Sequence, residues 1–236
     1  MGKGRRVRAV CFDFQDTLAR FVQSHYGLYV EAARMFGVEV DEAAFDAPLD
    51  DAWAPWRTPE GIDHSAISVD EATFRVARRE VHRARFLTAG IDSARLDEIV
   101  ALLDELESQP VHYELFEDAL PALEALRERG IRAVIVSNHI WGLPEVADAL
   151  GLTPLVATVI TSARAGYRKP HPAIYRRAIE ASGVQPSDVL FVGDSREADV
   201  EGPRRMGMRG VLLDRDGGGA ADGIDGIRSL RELPLE

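Results

Sequence analysis

The chain has 236 residues, 46% of them hydrophobic and 28% charged, which leaves room for one α/β domain with a smaller inserted domain. Its formal net charge of −11 argues against nucleic acid as a partner, and no apolar segment is long enough to span a membrane. The single cysteine, Cys11, excludes an intrachain disulfide and fits a cytoplasmic location.

The first predicted element is a buried strand at residues 7–12, and a long stretch of mainly helical patterning follows it. The helical candidates in this stretch are residues 23–36, 69–86 and 93–107, and no strand is predicted among them. An insertion of this length is too long to be a loop, so we expect an all-helical cap domain over one edge of the sheet. The predicted division is a cap at residues 21–112 and a core at residues 1–20 and 113–236.

Strands and helices alternate after the insertion. Apolar segments predict buried strands at residues 132–136, 189–192 and 210–213, with a weaker strand at 156–161. Helical patterns occupy residues 117–129, 172–182 and 198–206. This alternation predicts an α/β fold with a Rossmann-like open parallel sheet, in which reactive groups gather at the carboxyl ends of the strands.

A small set of polar residues follows the predicted strands or opens the next helix: Asp13, Thr17, Ser137, Asn138, Lys169, Asp194 and Asp199. If they meet at one edge of the sheet, the site combines several carboxylates with one ammonium. Clustered carboxylates repel each other unless a cation compensates their charge, and oxygen ligands favour Mg²⁺. An aspartate nucleophile beside Mg²⁺ and a lysine suits phosphoryl transfer.

At these residues the sequence resembles the haloacid dehalogenase superfamily, in the branch with a helical cap inserted after the first motif. Four short motifs carry the resemblance in chain order: Asp13 with Thr17, Ser137, Lys169, and Asp194 with Asp199. Each motif alone is weak, but all four occur in order, and three of them stand directly behind a predicted strand.

The resemblance implies a role for each matched residue. Asp13 would be the nucleophile that forms an aspartyl intermediate, with Ser137 and Lys169 beside the transferring group. Mg²⁺ would be held by Asp13, the backbone carbonyl of Gln15 and Asp194, with Asp199 as a ligand or as the group that orients a bound water. Thr17 and Asn138 are expected to join Ser137 and Lys169 in binding the substrate.

Gln15 is the main departure from the family pattern. In the family's phosphatases this position holds a second aspartate, which protonates the leaving oxygen and then activates water. A glutamine forms hydrogen bonds but does not exchange protons near neutral pH. General acid–base catalysis by such an aspartate is typically worth a factor of about 10²–10⁴ in rate. Asp16, which stands where a glycine is usual, is one position further along and is expected to point differently.

The leading prediction is therefore a Mg²⁺-dependent phosphatase of a small phosphorylated metabolite. Two alternatives stay open: a Mg²⁺-independent hydrolase of 2-halo acids, and a homologue that binds phosphate with impaired turnover because of Gln15. The partner is expected to be a small molecule, and neither nucleic acid nor a membrane is predicted. A homodimer formed through the cap is left open.

Overall fold

The computed structural model describes residues 6–24, 26–46, 52–217 and 225–236. Its strands are β1 Ala9–Phe12, β2 Ala19–Phe21, β3 Arg57–Thr58, β4 Gly61–Asp63, β5 Tyr113–Leu115, β6 Arg132–Ser137, β7 Val159–Thr161, β8 Tyr167–Arg168, β9 Val189–Gly193, β10 Arg209–Leu213 and β11 Gly226–Ile227. Its α-helices are α1 Gly27–Met35, α2 Glu71–Thr88, α3 Leu96–Leu106, α4 Ala119–Glu128, α5 Leu143–Ala149, α6 Ser162–Ala165, α7 Pro172–Ser182 and α8 Gly202–Arg205.

The central sheet has six parallel strands in the order β11-β10-β9-β1-β6-β7. Along β1, Val10 and Phe12 face one apolar core, whereas Ala9 and Cys11 face the other. Both faces are buried because helices cover them, which is why these strands are apolar along their whole length. The predicted fold class, an open α/β parallel sheet, is therefore confirmed.

The insertion between β2 and β5 contains α1, α2 and α3, which pack around an apolar core of their own. The prediction that it is purely helical is wrong, because β3 and β4 form a hairpin within it. This hairpin pairs with β8, which lies about a hundred residues further along the chain, so that Ile62 lies opposite Arg168. Strands of two or three residues show no periodicity, and their pairing partner is distant in sequence, so neither feature was visible beforehand.

The insertion is also joined to the core at its two ends and beside Gly166. The two ends lie side by side, because β2 pairs with β5 in antiparallel fashion. His64 donates its backbone N–H to the carbonyl of Gly166 at 2.8 Å, and a side chain at Gly166, which has φ of 83°, would collide with the backbone of Ser65. The division at residues 21–112 stays a prediction. Within the described residues, no helix is both long and apolar enough to cross a membrane.

The helix predicted at residues 198–206 is the clearest correction in the core. It begins earlier, as a π-helical turn over Arg196–Glu201, and only then continues into α8. Ser195 precedes this turn, and its hydroxyl accepts the backbone N–H of Ala198. Helical turns of this wider type are rare and often occur at functional sites. Here the turn contains Asp199, one of the predicted site residues.

Candidate active site

Three adjacent strands bring the predicted site residues together. β1 lies between β6 and β9, and all three run in the same direction. Their carboxyl ends therefore place Asp13, Ser137 and Asp194 side by side at one edge of the sheet. Asp13 is held there by its backbone N–H, which donates to the carbonyl of Val192 at 2.9 Å. Ser137 is almost completely buried.

The loop after β1 is a tight turn around the carbonyl of Phe14, which accepts the N–H groups of Leu18 at 2.9 Å and Ala19 at 3.0 Å. The turn requires φ of 56° at Asp16, a left-handed conformation that favours glycine and that aspartate tolerates better than most residues. Asp16 is exposed and accepts a hydrogen bond of 3.3 Å from the Gln15 amide. The Gln15 amide oxygen and the Thr17 hydroxyl are buried with no hydrogen-bond partner.

Lys169 connects two of the predicted carboxylates. Its ammonium lies 3.0 Å from Asp13 Oδ1 and 2.6 Å from Asp199 Oδ1, and its side chain is 1% exposed. The backbone of Lys169 is held on both sides by Asn138, whose amide oxygen accepts the Lys169 N–H at 2.7 Å and whose amide nitrogen donates to the Lys169 carbonyl at 2.9 Å. Asn138 was predicted to bind the substrate, but its amide is directed at the Lys169 backbone.

Asp199 is fixed by contacts to both of its oxygens. Oδ1 contacts Lys169, and Oδ2 accepts the backbone N–H of Ser195 at 3.0 Å. Gly193 makes this arrangement possible, because any side chain at that position would collide with the Asp199 carboxylate. Asp194 lies at the exposed side of the group. Asp13, Asp194 and Asp199 each offer an oxygen within 4.8 Å of the others.

Burial and the nearby charges shift the pKa values of the cluster. Burial, together with the carboxylates of Asp13 and Asp199, raises the pKa of Asp194 to about 7. Burial raises the pKa of Asp199, the Lys169 ammonium opposes this rise, and the Asp13 carboxylate adds to it. Burial alone would lower the pKa of Lys169, but the two neighbouring carboxylates raise it. The lysine is therefore charged at neutral pH, and the carboxylates compete for its single positive charge.

The cluster fits a divalent cation. Three carboxylates face one ammonium, and in the described residues Lys169 alone forms ion pairs with Asp13 and Asp199. When all three acids are ionised, the group carries a net charge of −2, which one divalent ion would neutralise. Oxygen ligands at an edge open to substrate are the environment in which Mg²⁺ is normally bound.

The region where the insertion meets the core contains groups that the sequence did not assign. Arg168, directly before Lys169, lies with its guanidinium 4.5 Å from the centre of the Trp53 ring. His64 is fully buried between the rings of Trp53 and Phe74, and His139 packs edge-on against Phe14. In the sequence, only the position of Arg168 beside the motif residue Lys169 indicates a role at the site. The direction of the Arg168 side chain depends on the pairing of β8 with the inserted hairpin.

This sheet, with an aspartate behind its central strand and a lysine between two acids, defines a hydrolase of the haloacid dehalogenase type. The chain belongs to that family: the model for haloacid dehalogenase-like hydrolases matches residues 7–207.

Individual relatives agree on the family and differ in activity. The chain is 31% identical to a phosphoserine phosphatase of Thermus thermophilus, over 89% of both chains. It resembles a HAD phosphatase structure from Thermococcus onnurineus, with a TM-score of 0.64 and 24% identity over 96% of both chains. It also resembles a 2-haloacid dehalogenase structure from Pseudomonas syringae, with a TM-score of 0.59 and 24% identity over 97% of this chain and 96% of the other. The structural likenesses establish the fold, not the substrate.

Proposed function

We propose that this hydrolase is a Mg²⁺-dependent phosphatase of a small phosphate ester and that Asp13 carries the phosphoryl group as an aspartyl phosphate. The observation that carries the proposal is the buried Lys169, which bridges Asp13 and Asp199 beside the third carboxylate of Asp194. Relatives named as phosphatases support the same chemistry.

The proposed reaction has two displacements at phosphorus. A carboxylate oxygen of Asp13 attacks phosphorus, the bond between phosphorus and the ester oxygen breaks, and the leaving alkoxide takes a proton from solvent. Water then attacks the phosphorus of the aspartyl phosphate and loses a proton to solvent, and the bond between phosphorus and Asp13 breaks, which releases inorganic phosphate and restores the carboxylate. Lys169 holds Asp13 and stabilises the negative charge of the phosphoryl oxygens, and Ser137 donates a hydrogen bond to one of them.

Mg²⁺ would be held by Asp13, Asp194 and the backbone carbonyl of Gln15, where it would neutralise charge on the phosphoryl group. Asp199 supports this site from behind, because both of its oxygens already have protein partners. Asn138 is a positioning residue, since it fixes the backbone from which the Lys169 side chain extends. Thr17 would bind the substrate, as the family pattern implies.

Gln15 limits the range of esters that are hydrolysed quickly. Its amide cannot protonate a leaving alkoxide, and Asp16, one position further along, is exposed. We therefore infer that esters with acidic leaving groups are the better substrates. The buried amide oxygen of Gln15, which has no protein partner, is an acceptor for the attacking water.

The acidic cluster disfavours the alternative of a Mg²⁺-independent dehalogenase. Attack on carbon needs no divalent cation, and three carboxylates around one ammonium would then remain uncompensated. The alternative of a phosphate-binding protein with impaired turnover rests on Gln15 and is tested together with the main proposal.

The test measures phosphate release from a panel of phosphate esters with Mg²⁺ by wild type, Asp13→Asn and Gln15→Asp. Asp148→Asn, which changes an exposed acid on α5, is the matched control. Turnover by wild type and by the control, but not by Asp13→Asn, supports the phosphatase. Turnover by Gln15→Asp alone supports the protein with impaired turnover. Halide release from 2-halo acids that persists in EDTA would support the dehalogenase instead.

A further inference from the structure

Arg168 is the last residue of β8, and Lys169 directly follows it in the chain. Their side chains contact different parts of the molecule. Lys169 reaches Asp13, whereas Arg168 is directed toward the insertion and stacks on Trp53. Arg168 nevertheless stays within electrostatic range of Asp13, because the Asp13 carboxylate acts on its pKa. The guanidinium therefore contacts the insertion from the same segment of chain that supplies Lys169.

The charges around Arg168 are paired among themselves. Arg78 forms an ion pair of 2.7 Å with Glu107, and Asp13 is paired with Lys169. Of the residues that the structure describes, none forms an ion pair or a side-chain hydrogen bond with Arg168, and its one direct partner is the Trp53 ring. Burial and the nearby Arg78 lower the pKa of Arg168 to about 10, which still leaves it charged at neutral pH. A partly buried cation without a counter-ion is costly unless a ligand supplies the negative charge.

Two buried histidines near Arg168 also have a nitrogen without a partner. These atoms are His64 Nε2 and His139 Nδ1, and Arg168 acts electrostatically on both rings. Burial lowers the pKa of each ring to about 4, so both are neutral at pH 7. A neutral imidazole can donate or accept one further hydrogen bond at such an atom. The unpaired guanidinium and these two nitrogens are thus polar groups that a ligand with acceptor and donor atoms would satisfy.

We propose that Arg168 binds a second anionic group of the substrate, so that the enzyme selects phosphate esters that carry another negative charge. The inference rests on the proposed function, since it assigns the other end of the same substrate. A planar guanidinium pairs with a carboxylate or a phosphate through two parallel hydrogen bonds, and stacking on Trp53 holds its plane in place. The substrate class is therefore a small phosphate ester with a carboxylate or a second phosphate.

The experiment compares esters that differ in the second anion. Glycerol 3-phosphate and 3-phosphoglycerate test the carboxylate, and fructose 6-phosphate and fructose 1,6-bisphosphate test the second phosphate. Each pair is measured as kcat/KM with Mg²⁺ for wild type, Arg168→Gln and Arg168→Lys. The control is Arg129→Gln, which changes an exposed arginine near the amino ends of β1 and β6, at the edge of the sheet opposite the site. Circular dichroism and thermal melting establish that each variant is folded.

We expect wild type to prefer the doubly charged member of at least one pair, and Arg168→Gln to reduce that preference about 10- to 100-fold. Arg168→Lys should keep part of the preference, because it keeps the charge but loses the paired hydrogen bonds. The pair that responds identifies the anion. An equal loss for both members of each pair, or a wild type without preference, would overturn the proposal.

Binding is measured as well, so that the two proposals fail separately. Calorimetric titration of the same four ligands into Asp13→Asn, with and without Arg168→Gln, reports affinity in the absence of turnover. If wild type releases no phosphate but Arg168→Gln still weakens binding of the doubly charged ligand selectively, only the proposed function fails. If phosphate is released but the affinity ratio does not change, only the role of Arg168 fails.

Discussion

Replacing Lys169 with methionine removes the ammonium between Asp13 and Asp199 while roughly preserving the side-chain volume. The two ion pairs are 3.0 and 2.6 Å long. At an effective dielectric constant of about 20, each attraction is worth roughly 5–6 kcal/mol before the cost of desolvation is subtracted. Removing one partner from a buried ion pair has a net cost of about 3–5 kcal/mol. We therefore expect the free energy of unfolding of Lys169→Met to fall by about 3–5 kcal/mol near pH 8 in EDTA.

Thermal melting is the assay. In a chain of this size about 1 kcal/mol corresponds to about 2–4 °C, so the melting temperature should fall by roughly 6–20 °C. Mg²⁺ should recover part of the loss in the variant, because it supplies the missing positive charge. Arg129→Met, at an exposed arginine, is the control and should melt like wild type. A Lys169→Met variant that melts within about 2 °C of wild type in EDTA would refute the reasoning, because the carboxylates would then not depend on this ammonium.

Three further predictions concern other residues of the site. In EDTA, wild type should lose stability relative to Asp194→Asn as the pH rises from about 4 to about 7, because the raised pKa of Asp194 lets the folded protein keep a proton that the unfolded chain releases above pH 3.8. The buried histidines are present in both proteins, so their titration cancels in this comparison. Mg²⁺ should reverse the difference in stability. Melting temperatures that change in parallel with pH in the two proteins would contradict the prediction. For wild type, kcat should rise steeply as the leaving alcohol becomes more acidic, and Gln15→Asp should raise kcat for alkyl phosphates by about 10²-fold or more; the same dependence in both proteins would show that residue 15 does not control leaving-group protonation. Asn138→Ala removes two hydrogen bonds to the Lys169 backbone, each worth about 1 kcal/mol. Its melting temperature should fall by about 4–8 °C and its phosphate release should fall with it, whereas an unchanged melting temperature would rule out the positioning role.

The sequence by itself determined the parallel sheet and the edge at which the polar residues gather. Strands buried on both faces are apolar along their whole length, so β6 and β9 were visible at residues 132–136 and 189–192. A polar residue directly behind such a strand must lie at its carboxyl end. The positions of Asp13, Ser137 and Asp194 therefore follow from chain order, once β1 is placed between its two neighbours.

The tertiary structure alone decided which atoms meet. The contact of Lys169 with both Asp13 and Asp199 depends on the Asn138 clamp and on the π-helical turn after β9, and neither leaves a periodic signal in the sequence. The inserted hairpin was likewise invisible, because its third strand, β8, comes from the other side of the chain. That pairing places the Arg168 side chain next to the insertion. Local sequence patterns indicate which residues are buried. Pairing between distant segments decides the direction of each side chain, and that direction determines which side chains contact the substrate.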